Sequence, residues 1–241
     1  MYGQYHRFEM KTSQGFPYWK GDNYKTGGLL VLCESAYNKQ DPTVPVDPQW
    51  SVEGIMDYLE GKEGSKYERW YPHFERIFLS VQGTETVRPW NAANAKDFLD
   101  RILYANYIVS SVGNSAKGRP SKAQWDSAWP PFRGFMSELS EKKLPPSWIL
   151  IFGSSVWKYI WRDAGDDLSG RETGCEMFTI GDSIKARVCA VRHPSSWNRN
   201  RPGPYTSAMA HEHILKKFGS DWPFSDSFHA PIEGQITLTP K

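Results

Sequence analysis

At 241 residues the chain has the length of one compact unit, and nowhere does an apolar run approach the roughly 20 residues that span a bilayer. Hydrophobic residues at 39% and charged residues at 23% exclude a disordered chain, and a net charge of +2 excludes a strongly basic coat of the histone kind. Aromatic residues stand at 15%, with 11 Trp; they serve either as core filling or as flat faces for stacking, and composition does not choose between the two.

The residues Met1 to Arg7 carry no charged segment followed by an apolar run, so no signal peptide is predicted and the cytoplasm is the expected compartment. Gly28-Leu29-Leu30-Val31-Leu32-Cys33 predicts a buried strand, followed by a polar, proline-bearing loop from Asn38 to Pro48. Residues 51–61 and 67–82 read as helices; in the second, Tyr67, Trp70, Tyr71, Phe74, Ile77 and Phe78 recur at three-to-four spacing. Residues 94–111 show the strongest amphipathic pattern and predict a helix with Asn94 as N-cap. A glycine-bearing loop spans Asn114 to Arg119, and a further helix is expected from Lys122 to Leu139, interrupted by Pro130-Pro131.

Trp148 to Phe152 predicts a second buried strand ending in Gly153-Ser154-Ser155, with a helix from Val156 to Trp161. Ala186 to Val191 predicts a third, stopping at His193-Pro194, and residues 206–218 a last helix. Short apolar strands alternating with helices indicate a single-domain, three-layer α/β/α protein with a short, mostly parallel central sheet. In such folds ligands bind beyond the carboxyl ends of the strands, where this chain carries its least ordinary sequences.

Two constellations sit there, and a third lies within the helix predicted over 94–111. Cys33-Glu34-Ser35-Ala36-Tyr37-Asn38 crowds a carboxylate, a hydroxyl, a phenol and a carboxamide at one strand end; a carboxylate there orients water or stabilises a cation, whereas its bland use is an acidic loop. Arg192-His193-Pro194-Ser195-Ser196-Trp197 sets an imidazole on a proline-stiffened turn, with hydroxyls suited to phosphate and an indole suited to stacking. Asn106, within Tyr104-Ala105-Asn106-Tyr107, offers a carboxamide that pairs with a base edge or simply bonds within the fold. From Lys185 to Arg201 the chain holds five basic and no acidic residues, either a DNA-facing rim or a solvated one. Gly118-Arg119-Pro120, near Lys117 and Lys122, reads as a solvated loop in preference to a phosphate contact. His211 and His213, two apart on a helix, point to different faces and make a poor metal pair. Cys33, Cys175 and Cys189 show no CxxC spacing and suit a reducing compartment. Neither a P-loop, a GxGxxG motif nor a GxSxG elbow is present.

In this order the three constellations resemble the uracil-DNA glycosylase superfamily, whose strand-end motif of the type Gly-Gln-Asp-Pro-Tyr-His or Gly-Glu-Ala-Pro-Gly precedes a base-reading Asn and a late His-Pro-Ser. The resemblance runs from about Gly28 to Ser196 and includes the internal strand Ile149 to Gly153 with Val156-Trp157 after it. It implies a DNA glycosylase that flips out a pyrimidine and hydrolyses its N-glycosidic bond, with no metal and no cofactor. Glu34 and His193 are then the catalytic pair. Ser35, Tyr37 and Asn106 bind the base, and Ser154, Ser155, Ser195, Ser196, Trp197, Arg199 and Arg201 contact DNA. The chain departs from the best-known branch at Ser35, where that branch has its water-orienting Asp, and at Ala36, where it has Pro. These departures point from plain uracil toward a modified pyrimidine, a use that some members of the superfamily make in anti-phage defence. The expected partner is DNA, with no membrane, and the expected state a monomer. Two other functions fit the same residues: a non-catalytic sensor of modified or single-stranded DNA, and a hydrolase of free nucleosides or nucleotides.

Overall fold

Every residue of Leu29–Cys33 is buried, as a run without polar alternation requires when both faces of a strand are covered. The computed structural model describes residues 15–36, 46–68, 70–83, 90–113, 118–170, 176–180, 184–197 and 205–224. Its elements, in chain order, are β1 (Tyr18–Lys20), β2 (Leu29–Cys33), α1 (Pro48–Leu59), α2 (Tyr71–Gln82), α3 (Ala92–Leu99), β3 (Ile102–Asn106), α4 (Lys122–Asp126), α5 (Trp129–Glu141), β4 (Trp148–Phe152), α6 (Ser154–Asp163), β5 (Leu168–Ser169), β6 (Met177–Ile180), β7 (Ile184–Val191) and α7 (Ser207–Phe218).

The sheet order is β1-β3-β2-β4-β7-β6-β5. The four central strands β3, β2, β4 and β7 run parallel, while β1, β5 and β6 pair antiparallel at the two edges. The sheet is therefore mixed, and the expectation of a mostly parallel one holds for its centre alone. Two cores lie on its two faces. One packs Leu30, Leu32, Leu103, Ile149 and Ile151 against Trp125 of α4, Phe132, Phe135 and Met136 of α5, and Val156 and Ile160 of α6. The other packs Val31, Tyr104, Leu150, Phe152 and Val191 against α1, α2, α3 and α7 through Ile55, Phe74, Ile77, Phe98 and Ile214. Each such side chain contributes about 1.5–3 kcal/mol on burial, which is why the alternate residues of one strand hold two layers of helices. Among the described residues no helix is long and apolar enough to cross a membrane.

The expected helix over 94–111 is overturned. Asn91, not Asn94, caps α3, accepting from the Asn94 amide at 3.0 Å, and the helix ends at Leu99. Ile102–Asn106 is instead a fully buried strand between β1 and β2. Its apolar residues also suit one helical face, and the tie is broken by the two ladders that only a strand can complete. The expected helix over 122–139 divides into α4 and α5, because Pro130 and Pro131 occupy the first turn of α5, where no amide donor is needed.

Helix α2 runs across the second face and is tied to α7. The Ser80 carbonyl bonds His211 Nδ1 at 2.9 Å, and a side chain at Gly83, where α2 ends in the left-handed region at φ 95°, would lie 2.2 Å from His211 Nε2. The histidine that read as a poor metal ligand is a fastening between two helices.

Candidate active site

The parallel register carries four strand ends to one place. Cys33 of β2 faces Asn106 of β3, and the chains continue paired beyond the strands, Tyr107 N–H donating to the Cys33 carbonyl and Ile108 N–H to the Glu34 carbonyl, both at 2.9 Å. On the other side of β2, Leu32 faces Ile151 of β4, and Phe152 faces Val191 of β7. Gly153 N–H then donates to the Val191 carbonyl at 2.9 Å. Asn106, Glu34, Gly153 and His193 thus follow one another along the carboxyl edge of the sheet, where open parallel sheets bind ligands.

Asn106 continues the face of Tyr104, toward α2. It is 3% exposed, and neither Oδ1 nor Nδ2 has a hydrogen-bond partner among the described residues. Buried carboxamides are normally satisfied, so this one is conspicuous in a strand that is otherwise fully paired.

Glu34 is half-buried at the end of β2. Burial holds its carboxyl above the ordinary carboxylate range, against the opposing pull of the Arg119 guanidinium. Its Oε2 lies 4.0 Å from where a Cβ on Gly153 would stand, and Gly153 has φ 142°. The glycine lets β4 turn into α6 with the carboxylate beside the junction. No side chain caps α6, so Ser154 and Ser155, both exposed, present its first amides at this edge.

His193 is half-buried and is held by Ser195. The Ser195 N–H donates to its Nδ1 at 3.2 Å and the Ser195 hydroxyl lies 2.7 Å from the same atom. With Nδ1 an acceptor, the neutral ring carries its proton on Nε2. Burial first, then the neighbouring His73 and Arg119, lower the imidazole to about 4, so the neutral form prevails at physiological pH.

Other expected site residues fall elsewhere. Trp197 is 4% exposed, packs against Phe152 and Tyr205, and donates from Nε1 to the Arg192 carbonyl at 3.1 Å; it belongs to the core and offers no stacking face. Ser35 is half-buried one residue past Glu34. Tyr37, Arg199 and Arg201 lie outside the described residues, as does the Ser196 side chain. Burial pushes the Cys33 and Cys189 thiols up to about 12, which removes both as thiolate nucleophiles at neutral pH.

Two further residues join the site, one read from the sequence as a solvated loop or a phosphate contact and one unforeseen. Arg119, exposed on the loop before α4, is the cation whose field reaches both Glu34 and His193. His73 of α2 stacks edge-to-face on His193 with ring centroids 5.5 Å apart. A histidine on the polar border of an aromatic helical stripe is the one trace that His73 leaves in the sequence. A separate recess lined by Trp157, Glu176, Cys189, His213 and Lys217 flanks β7, and there Lys217 pairs with Glu176 at 3.3 Å.

No family model matches the chain, and a search of curated proteins finds no match to it.

Proposed function

We propose that the chain is a DNA glycosylase of the uracil-DNA glycosylase type, which hydrolyses the N-glycosidic bond of a flipped-out uracil-like or modified pyrimidine. The observation that carries this reading is the buried, unpartnered carboxamide of Asn106. Leaving such a group unsatisfied costs about 1–3 kcal/mol, and a pyrimidine edge with a carbonyl beside a ring N–H satisfies both of its atoms at once.

The neighbouring groups suit the chemistry that would follow. The C1′–N bond breaks with its electron pair leaving on the base, water forms the new C1′–O bond, and the proton of that water ends on the base. An ionised Glu34 stabilises the cationic sugar and orients the water. The Nε2–H of His193 donates to the pyrimidine O2 carbonyl, on which negative charge grows, and the Arg119 cation adds positive potential at His193. A preorganised donor of this kind is worth roughly 10²–10³-fold in rate. Ser195 and the amides at the start of α6 suit phosphate. The same reading takes DNA as partner, a monomer as the acting unit, the cytoplasm as its place and removal of modified phage bases as its use.

Abasic-site formation, assayed by alkaline strand cleavage, tests it. The panel carries uracil, hydroxymethylated pyrimidines and glucosylated pyrimidines in single- and double-stranded DNA. Cleavage at one base, lost in Glu34→Ala, is the expected result. Tight DNA binding without cleavage would replace the enzyme with a sensor, and turnover of free nucleosides without DNA would replace it with a small-substrate hydrolase.

A further inference from the structure

Helix α2 lies between the two halves of the motif-bearing sequence and carries none of the three constellations, yet its first turns reach the His193 turn at two points. Arg76 donates from Nη1 to the Pro194 carbonyl at 2.6 Å, and His73, three residues earlier on the same face, packs its imidazole against that of His193 at an interplanar angle of 80°. The stripe continues to Ser80, whose carbonyl is bound by His211 of α7, so the contact is made by a helix anchored along its length. Within its own turn His193 is also held by Ser195. The imidazole thus contacts both its own turn and a helix more than a hundred residues away in sequence.

We infer that His73 is a further residue of the site: a positioning residue that, with Arg76 beside it, holds the His193 imidazole in the orientation and tautomer that Ser195 selects. The inference rests on the glycosylase reading, since it assigns His73 a part in that reaction. A single-sided imidazole on a turn rotates about its χ angles, and a general donor displaced by about 1 Å loses up to 10²-fold in rate. Packing from α2 removes that freedom. The second consequence is electrostatic. His73 is itself lowered to about 4 by burial and by Arg76, and two imidazoles this close resist being charged together. Among the described residues, His73 and Arg76 of α2 and Arg119 of the loop before α4 are charged or titratable groups set near His193. Burial first, then His73 and Arg119, oppose its protonation, and Arg76 opposes that of His73, so the neutral donor form survives into acid.

The test uses the full chain with two substitutions that divide packing from ionisation. His73→Ala removes both, and kcat at pH 7 on the base identified by the DNA panel falls about tenfold or more with KM little changed, because His193 acts as charge develops. His73→Phe keeps a ring against His193 and restores most of that kcat. Its acid limb nonetheless moves upward by about one pH unit, since His193 then titrates without a second imidazole beside it. Imidazole nitrogen NMR supplies a readout independent of turnover: the His193 signals report Nε2–H in the wild type and titrate at higher pH in His73→Phe. Wild-type kcat, pH profile and His193 signals in both variants would overturn the inference while leaving the glycosylase reading intact. Absence of cleavage by the wild type on every DNA would overturn the reading itself, and the assignment of His73 to the reaction with it. Altered His193 signals in variants that melt as the wild type does would exclude a fold defect as the cause.

Discussion

Asn106 is a residue whose cost to the fold and whose use to the site pull in opposite directions. Replacing it with Leu removes two unpaired polar atoms from a buried strand end at similar volume, so Asn106→Leu should raise stability by about 1 kcal/mol while abolishing base excision. Chemical denaturation with the cleavage assay checks both halves; a variant less stable than wild type would mean that the carboxamide is satisfied after all. Glu34 presents the same opposition in charge. Its folded carboxyl is held above the ordinary range, chiefly by burial, so ionising it works against the fold. The folded state binds the proton more tightly, and stability therefore falls as pH rises from the ordinary carboxylate range through the raised value. Glu34→Gln should melt higher than wild type at pH 7, with the advantage shrinking as pH drops below that window. If the two proteins melt alike at pH 7, the carboxylate is not strained by burial.

At the scale of elements, the decisive joints are the turn from β4 into α6 and the docking of α2. Gly153 is at φ 142°, and a Cβ there would meet Val156 Cγ2 at 3.4 Å and Glu34 Oε2 at 4.0 Å. Gly153→Ala should lower stability by about 1–3 kcal/mol and, on the glycosylase reading, reduce cleavage further than that loss explains, because the strained turn lies beside the Glu34 carboxylate. Full activity in a destabilised Gly153→Ala protein would show that Glu34 is indifferent to this junction. The strand ends were legible because β2, β4 and β7 are apolar runs broken by polar residues, and runs buried on both faces have that form. Strand β3 was not, since Phe98, Ile102, Leu103, Tyr104 and Ile108 also fit a helical face. Pairing with β1 and β2 decided the matter, and neither partner is near in sequence.

For the whole molecule the two facing imidazoles set an acid limit. His73 and His193 are both lowered from 6.5 to about 4. Between those values the unfolded chain binds more protons than the folded one, so stability is present above pH 6.5 and is lost as pH falls through about 4. Melting temperatures between pH 7 and 4 should fall, and fall less in a protein carrying both His73→Phe and His193→Phe. An undiminished acid loss in that double variant would place the sensitive groups elsewhere. The site as a unit depends on four parallel strands ending at one edge and on a helix returning across one face, an arrangement in which each contact is long-range.

The sequence by itself determined the α/β class and the strand-end location of Glu34 and His193. These follow from local physics, because burial on two faces demands continuous apolar runs and polar residues interrupt such runs only where the strand ends. Only the tertiary structure decided that Asn106 ends a strand rather than lies within a helix, that its carboxamide is left without a partner, that Trp197 belongs to the core, and that His73 and Arg76 close on the His193 turn. Each of those depends on which distant segment packs alongside, and a buried contact between residues a hundred positions apart leaves no periodicity in either of them.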